Sequence, residues 1–145
     1  MSPGLRGAVF IGLLAILLAA CSSSDDDKIL GGQKYYFLES LTLVETGGKQ
    51  LQSAGLDQQS LTEALANLDQ GLKLAFQVER KFLDELDLRL GKNYQRYFIK
   101  GVEDYRIGIE AGDEAQQRDG LRLLSQWAEF WQAEQAAIQA KLNPG

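Results

Sequence analysis

The stretch Ser60–Leu90, SLTEALANLDQGLKLAFQVERKFLDELDLRL, decides the fold. Leu61, Leu65, Leu68, Leu72, Ala75, Phe82, Leu86 and Leu90 recur at steps of three and four, with Glu79 in the seat between Ala75 and Phe82. That spacing places all of them on one stripe of an α-helix and predicts a helix over about residues 58–90. Asp57 or Ser60 can cap its start, and Glu63, three residues beyond Ser60, can complete a capping box. Gly91 supplies the stop.

The same periodicity extends in both directions. Upstream, Phe37, Leu41, Val44, Gly48 and Leu51 define a segment over about 34–54, which the pair Gly47-Gly48 weakens enough to predict a kink or break. Downstream, Tyr94, Phe98, Val102, Tyr105 and Ile109 share one face of a segment over about 93–111. Gly112 ends it and Asp113 can cap the next helix. The last segment, about 113–141, carries Leu121, Leu124, Ala128, Trp131, Gln135, Ile138 and Leu142 in near-heptad register, and Gly120 marks an alternative start for it. No strand-like alternation of useful length and no repeat is found. Amphipathic segments joined by short connections predict an all-α fold, an antiparallel up-down bundle of about four helices over residues 34–145.

A different pattern precedes the bundle. Arg6 is followed by 14 uncharged residues, Gly7 to Ala20, which end in Leu18-Ala19-Ala20 directly before the chain's one cysteine, Cys21, and Ser22-Ser23-Ser24-Asp25-Asp26-Asp27 come after it. A basic start and a short apolar run have the form of a secretory signal, and the run falls short of the roughly 20 residues a membrane span needs. Leu18 sits at −3 from Cys21, where ordinary signal cleavage wants a small residue. The string Leu18-Ala19-Ala20-Cys21 resembles the lipobox of bacterial lipoproteins. The resemblance implies removal of residues 1–20, a diacylglyceryl thioether on Cys21 with an acyl group on its amine, and localisation in the cell envelope facing the periplasm. Ser22, in place of an aspartate directly after the cysteine, implies the outer rather than the inner membrane. Residues 21–33, rich in serine, aspartate and glycine, read as a spacer between lipid and bundle.

Composition narrows the function. Without Arg6 the chain from Cys21 onward has 14 basic and 20 acidic side chains, an acidic balance unsuited to nucleic acid and of little help at anionic lipid. There is no histidine, which removes the usual general base, the Ser-His-Asp triad and the commonest metal ligand. With Cys21 committed to lipid, thiol catalysis, disulfides and cysteine-ligated zinc are excluded too, so the expectation is a non-enzyme with no cofactor or metal.

Several residues stand out as candidates. Glu79, at the centre of the apolar stripe, reads as an acid inside a binding groove, as a sign that the helix curves away from its neighbours there, or as a group satisfied by Arg106, Arg122 or Gln135. Trp127, Phe130 and Trp131, facing Tyr94, Tyr97, Phe98 and Tyr105, read either as core or as an aromatic cleft between the third and fourth segments, with Phe130 the most exposed. Ile99 and Ile107 fall on the polar face opposite Tyr94 and Phe98, so the third segment is buried on both sides or carries a small apolar patch. The basic stripe Lys92, Arg96 and Lys100 is answered along the helix by Glu103 and Glu110. The sequence thus predicts a lipid-anchored periplasmic domain acting through contacts with an envelope protein. An amphipathic-ligand module around Trp127, Trp131 and Glu79 is the second reading, and a carboxylate-dependent hydrolase a distant third.

Overall fold

The computed structural model describes residues 32–53 and 57–145. Residues 1–31, on which the expected signal, the lipidation of Cys21 and most of the expected spacer fall, lie outside the described residues. Among those described, helices carry nearly all the chain and there is no strand: α1 (Gly32–Ser53), α2 (Gln58–Ala75), α3 (Arg80–Leu86), α4 (Leu90–Asn93), a π-helical turn (Tyr94–Ile99), α5 (Lys100–Ala111) and α6 (Glu114–Leu142). Gly32 and Gln33, expected in the spacer, already belong to α1.

Two antiparallel hairpins organise the molecule. In the first, α1 buries Phe37, Leu41, Val44, Gly48 and Leu51, the seam its spacing predicts. The helix runs without a break through Gly47-Gly48, and Gly47 serves close approach: a Cβ there would stand 2.9 Å from the Ala64 carbonyl oxygen of α2. Gly71 of α2 answers in kind, where a Cβ would meet Val44 at 2.9 Å. Asp57 caps α2, accepting the Ser60 amide at 2.8 Å, whereas Glu63 accepts from Gln59 and forms no capping box.

The second hairpin joins α5 to α6. Gly112 takes the left-handed conformation (φ 66°), and the Asp113 amide donates back to the Gly108 carbonyl at 2.8 Å, a closure that satisfies the last carbonyls of α5. Asp113 then caps α6 through the Gln116 amide. Gly120 lies inside α6 rather than at its start. A Cβ on it would come within 2.4 Å of the Tyr105 nitrogen and 2.7 Å of the Gly101 oxygen, so this is the crossing point of α5 and α6.

Between the hairpins the long helix expected over 58–90 is broken twice. α2 stops at Ala75, and its terminal carbonyls are taken by tight i to i+3 bonds from Gln77 to Leu74 and Val78 to Ala75. Gln33 of α1 completes the break: its side chain donates to the Gln77 carbonyl and accepts the Glu79 amide. After α3, Asp87 is extended (φ −158°), its carboxylate accepts the Arg89 amide at 2.7 Å, and Lys141 of α6 donates to the Leu86 carbonyl at 2.8 Å. The chain then re-enters helix at Leu90 and widens through the π-turn.

The core joins the two hairpins through rings. Phe37 of α1 meets Tyr94 at 5.3 Å and Trp131 at 5.7 Å edge-on, Tyr94 stacks on Phe98 at 5.0 Å, and Trp127 stacks on Trp131 at 5.6 Å. All five are buried. Edge-to-face and offset pairs at these separations add to what area burial alone contributes.

Candidate functional site

The chain's turns open a groove that combines concavity with apolar lining. It has a volume of about 330 Å³, at the lower end of the roughly 300–1,000 Å³ range of ligand pockets. Buried Ala75, Leu83, Tyr94 and Ile99 form its floor, and Phe76 and Val78, in the break between α2 and α3, form one wall. Arg80, Gln95, Lys100 and Glu103 stand on its rim.

Each part has a local cause. Phe76 caps the C-terminal end of α2, still in helical conformation and bonded to the Leu72 carbonyl, and the break that follows it leaves its side chain exposed. The π-turn lines the facing side: its extra residue per turn shifts the register so that Tyr94, Phe98 and Ile99 all turn inward, although regular helical spacing puts Ile99 opposite the other two. Gly91 lets the turn sit beneath Arg80, since a Cβ there would fall 2.2 Å from Arg80 Nε.

The rim charges are already engaged. Arg80 pairs with Asp84 at 2.9 Å and Lys100 with Asp104 at 2.9 Å, a bond that raises the Lys100 pKa. Below them the Tyr94 hydroxyl meets Ser40 Oγ at 2.6 Å in the buried interior, and burial drives the phenol well above the ordinary tyrosine range. Glu103 is the single carboxylate on the groove lining, so no facing pair of acids of the kind that cleaves glycosidic bonds is formed there.

Of the candidates read from the sequence, Ile99 lines this groove together with Tyr94 of the expected aromatic cleft and Lys100 of the basic stripe. Glu79 leaves the apolar stripe altogether: it is exposed at the N-terminal boundary of α3, because the break before it ends the helix whose phase placed it inward. The aromatic cleft around Trp127 and Trp131 is closed, both rings being fully buried against Phe37, Tyr94 and Phe98. Phe130 is half-buried, with Trp127 at 5.8 Å on one side and the Arg89 guanidinium 5.7 Å from its ring centre on the other. Arg89 is held there by Asp87 and by Glu134 at 2.8 Å. Ile107 is exposed, at the far hairpin. In the basic stripe, Arg96 lies over the Tyr97 ring and Lys100 pairs within its own helix.

Sequence reasoning overlooked Phe76, Val78 and Leu83 as groove residues, since nothing local marks a break at 76–79. It also overlooked Glu45, a buried acid of α1 bonded to Lys49 at 3.2 Å, whose pKa is raised by burial against the pull of that lysine. Among the described residues no three potential metal-ligating acids or thiols are grouped to hold an ion, and no helix is long and apolar enough to cross a membrane. The chain matches no protein-family model, and no curated protein or solved structure matches it at a significant level.

Proposed function

We propose that this protein is a lipid-anchored domain of the bacterial cell envelope, held through Cys21 at the periplasmic face of the outer membrane, that acts without catalysis by binding an envelope protein through the groove between the α2–α3 break and the π-turn. The helices then serve as a bundle that stabilises that groove. The observation that carries the reading is the groove's chemistry: an apolar floor under cations already paired with Asp84 and Asp104. Such a site gains by burying apolar side chains of a partner and offers little to a free anion. Tethering raises the effective concentration of the domain toward anything else on the same membrane. The concavity also supports a second reading, a small apolar or amphipathic ligand.

The test uses the full chain in intact envelopes. A photoreactive residue at Gln95, on the rim, is expected to give a discrete protein adduct, and the same residue at Arg118, on the far hairpin, is expected to give none. Cys21→Ala is expected to release the protein from the membrane fraction and remove the adduct. Equal adducts at both positions, or none at Gln95, overturn the groove reading, and membrane association that survives Cys21→Ala overturns the anchor. A small molecule retained through native mass spectrometry favours the second reading.

A further inference from the structure

We infer that the pole of the domain bearing the α1 N-terminus is a membrane-contacting face, which docks on the phospholipid surface and fixes the orientation in which the groove is presented. The inference rests on the lipid-anchor reading and adds a site to it. The position of the tether comes first. Gln33 is bonded to the α2–α3 break, and Lys34 donates to Asn143 at the end of α6, so the attachment point, the break and the α6 C-terminus share one end of the molecule. Ten residues separate Cys21 from Gly32, and a chain of that length reaches at most about 36–40 Å. With 29 residues α6 is about 43 Å long. An inverted domain, resting on its far hairpin, would lift Gly32 to about that height and out of the tether's reach.

Surface chemistry points the same way. Among the described residues four large hydrophobic side chains are exposed: Tyr35 at 42 %, Phe76 at 63 %, Leu88 at 87 % and Ile107 at 40 %. The first three belong to the tethered end. Tyr35 is in the first turns of α1, Phe76 is beside the Gln33 clamp, and Leu88 follows the Leu86 carbonyl that Lys141 of the last α6 turn engages. Only Ile107 lies at the other end. Tyrosine suits the headgroup boundary, with an apolar ring and a polar tip, and phenylalanine and leucine can enter the acyl region. Phe76 is also a wall of the groove, so the groove opens at the level of the lipid surface and its partner is met there.

The experiment uses the lipidated protein in phosphatidylethanolamine–phosphatidylcholine vesicles. Because Cys21 is blocked by its lipid, single nitroxide labels can be placed with Gln77→Cys and Lys81→Cys at the tethered end, and with Arg118→Cys at the far hairpin, leaving Tyr35, Phe76 and Leu88 intact. On reconstitution, labels at 77 and 81 are expected to lose collisions with an aqueous nickel relaxant and gain collisions with oxygen, while the label at 118 stays unchanged. Adding Phe76→Ser and Leu88→Ser is expected to restore nickel access at 77 with no loss of protein from floated vesicles. Unchanged nickel access at 77 and 81 in protein that floats with vesicles overturns the docking face and leaves the anchor standing. Protein that does not float, or that lacks lipid on Cys21 by mass spectrometry, overturns the anchor and the docking face together.

Discussion

At the scale of single residues, the contact between Ser40 and Tyr94 joins α1 to the π-turn beneath the groove, and its protons can be assigned. Ser40 Oγ lies 2.6 Å from the Phe37 carbonyl, which can only accept, so the serine proton goes there and Tyr94 must donate to Ser40. The two truncations are therefore unequal. Tyr94→Phe removes the donor and leaves Ser40 bonded to Phe37, an expected loss of about 0.5–1.5 kcal/mol. Ser40→Ala strands a buried phenol, an expected loss of about 1–3 kcal/mol. Urea denaturation of both variants checks the order, and equal losses would contradict the assignment. Glu45 gives a second residue-scale expectation. Its folded pKa is raised above the unfolded value of 4.5 by burial. Its ionisation therefore opposes folding: the protonated form gives full stability below pH 4.5, and that contribution is lost as pH rises through the folded value. Glu45→Gln is expected to raise the thermal midpoint over the parent at pH 7 and to match it below pH 4.5, measured by circular dichroism.

At the scale of elements, the sequence carries seams well and breaks poorly. Phe37, Leu41, Val44 and Leu51 of α1, Tyr94, Phe98, Val102 and Tyr105 around the π-turn and α5, and Leu121, Leu124, Trp131 and Ile138 of α6 are buried as their spacing predicts. The caps at Asp57 and Asp113 and the stop at Gly112 are local chemistry and were legible for that reason. The α2–α3 break was not, because no glycine or proline occupies 76–79 and the group that holds it open, Gln33, is 44 residues away. With that break unseen, Glu79 was assigned an inward phase and Phe76, Val78 and Leu83 were not recognised as a site. The π-turn was hidden in the same way, since Ile99 is buried only after the register shifts. Glycines misled in the opposite sense: Gly47 and Gly120 read as helix breakers, but each sits where a second helix leaves no room for a side chain. The dependence of the break on Gln33 is itself testable. Gln33→Ala removes both bonds of the clamp, and because the site is exposed the expected cost is about 1 kcal/mol. Faster amide exchange confined to residues 76–80 is the accompanying signature.

At the scale of the whole molecule, two antiparallel hairpins are bound by a shared aromatic core, and the groove is what their connection leaves open. This explains why the all-helical class was readable and the site was not: class follows from periodicity within segments, whereas the groove follows from contacts between segments far apart in sequence. It also explains why the tryptophans drew attention as a binding surface and prove to be interior, since the same large rings serve either purpose and only the packing of Phe37 and Tyr94 onto them decides. That packing has a spectroscopic consequence. The chain contains two tryptophans, and they are stacked on each other with an interplanar angle of 17°. All indole emission therefore arises from one fully buried pair, which gives a blue-shifted spectrum and an exciton-coupled signature in near-ultraviolet dichroism. The exciton coupling belongs to α6 alone, whereas the blue shift follows the joining of the two hairpins, because Phe37 of α1 closes over Trp131.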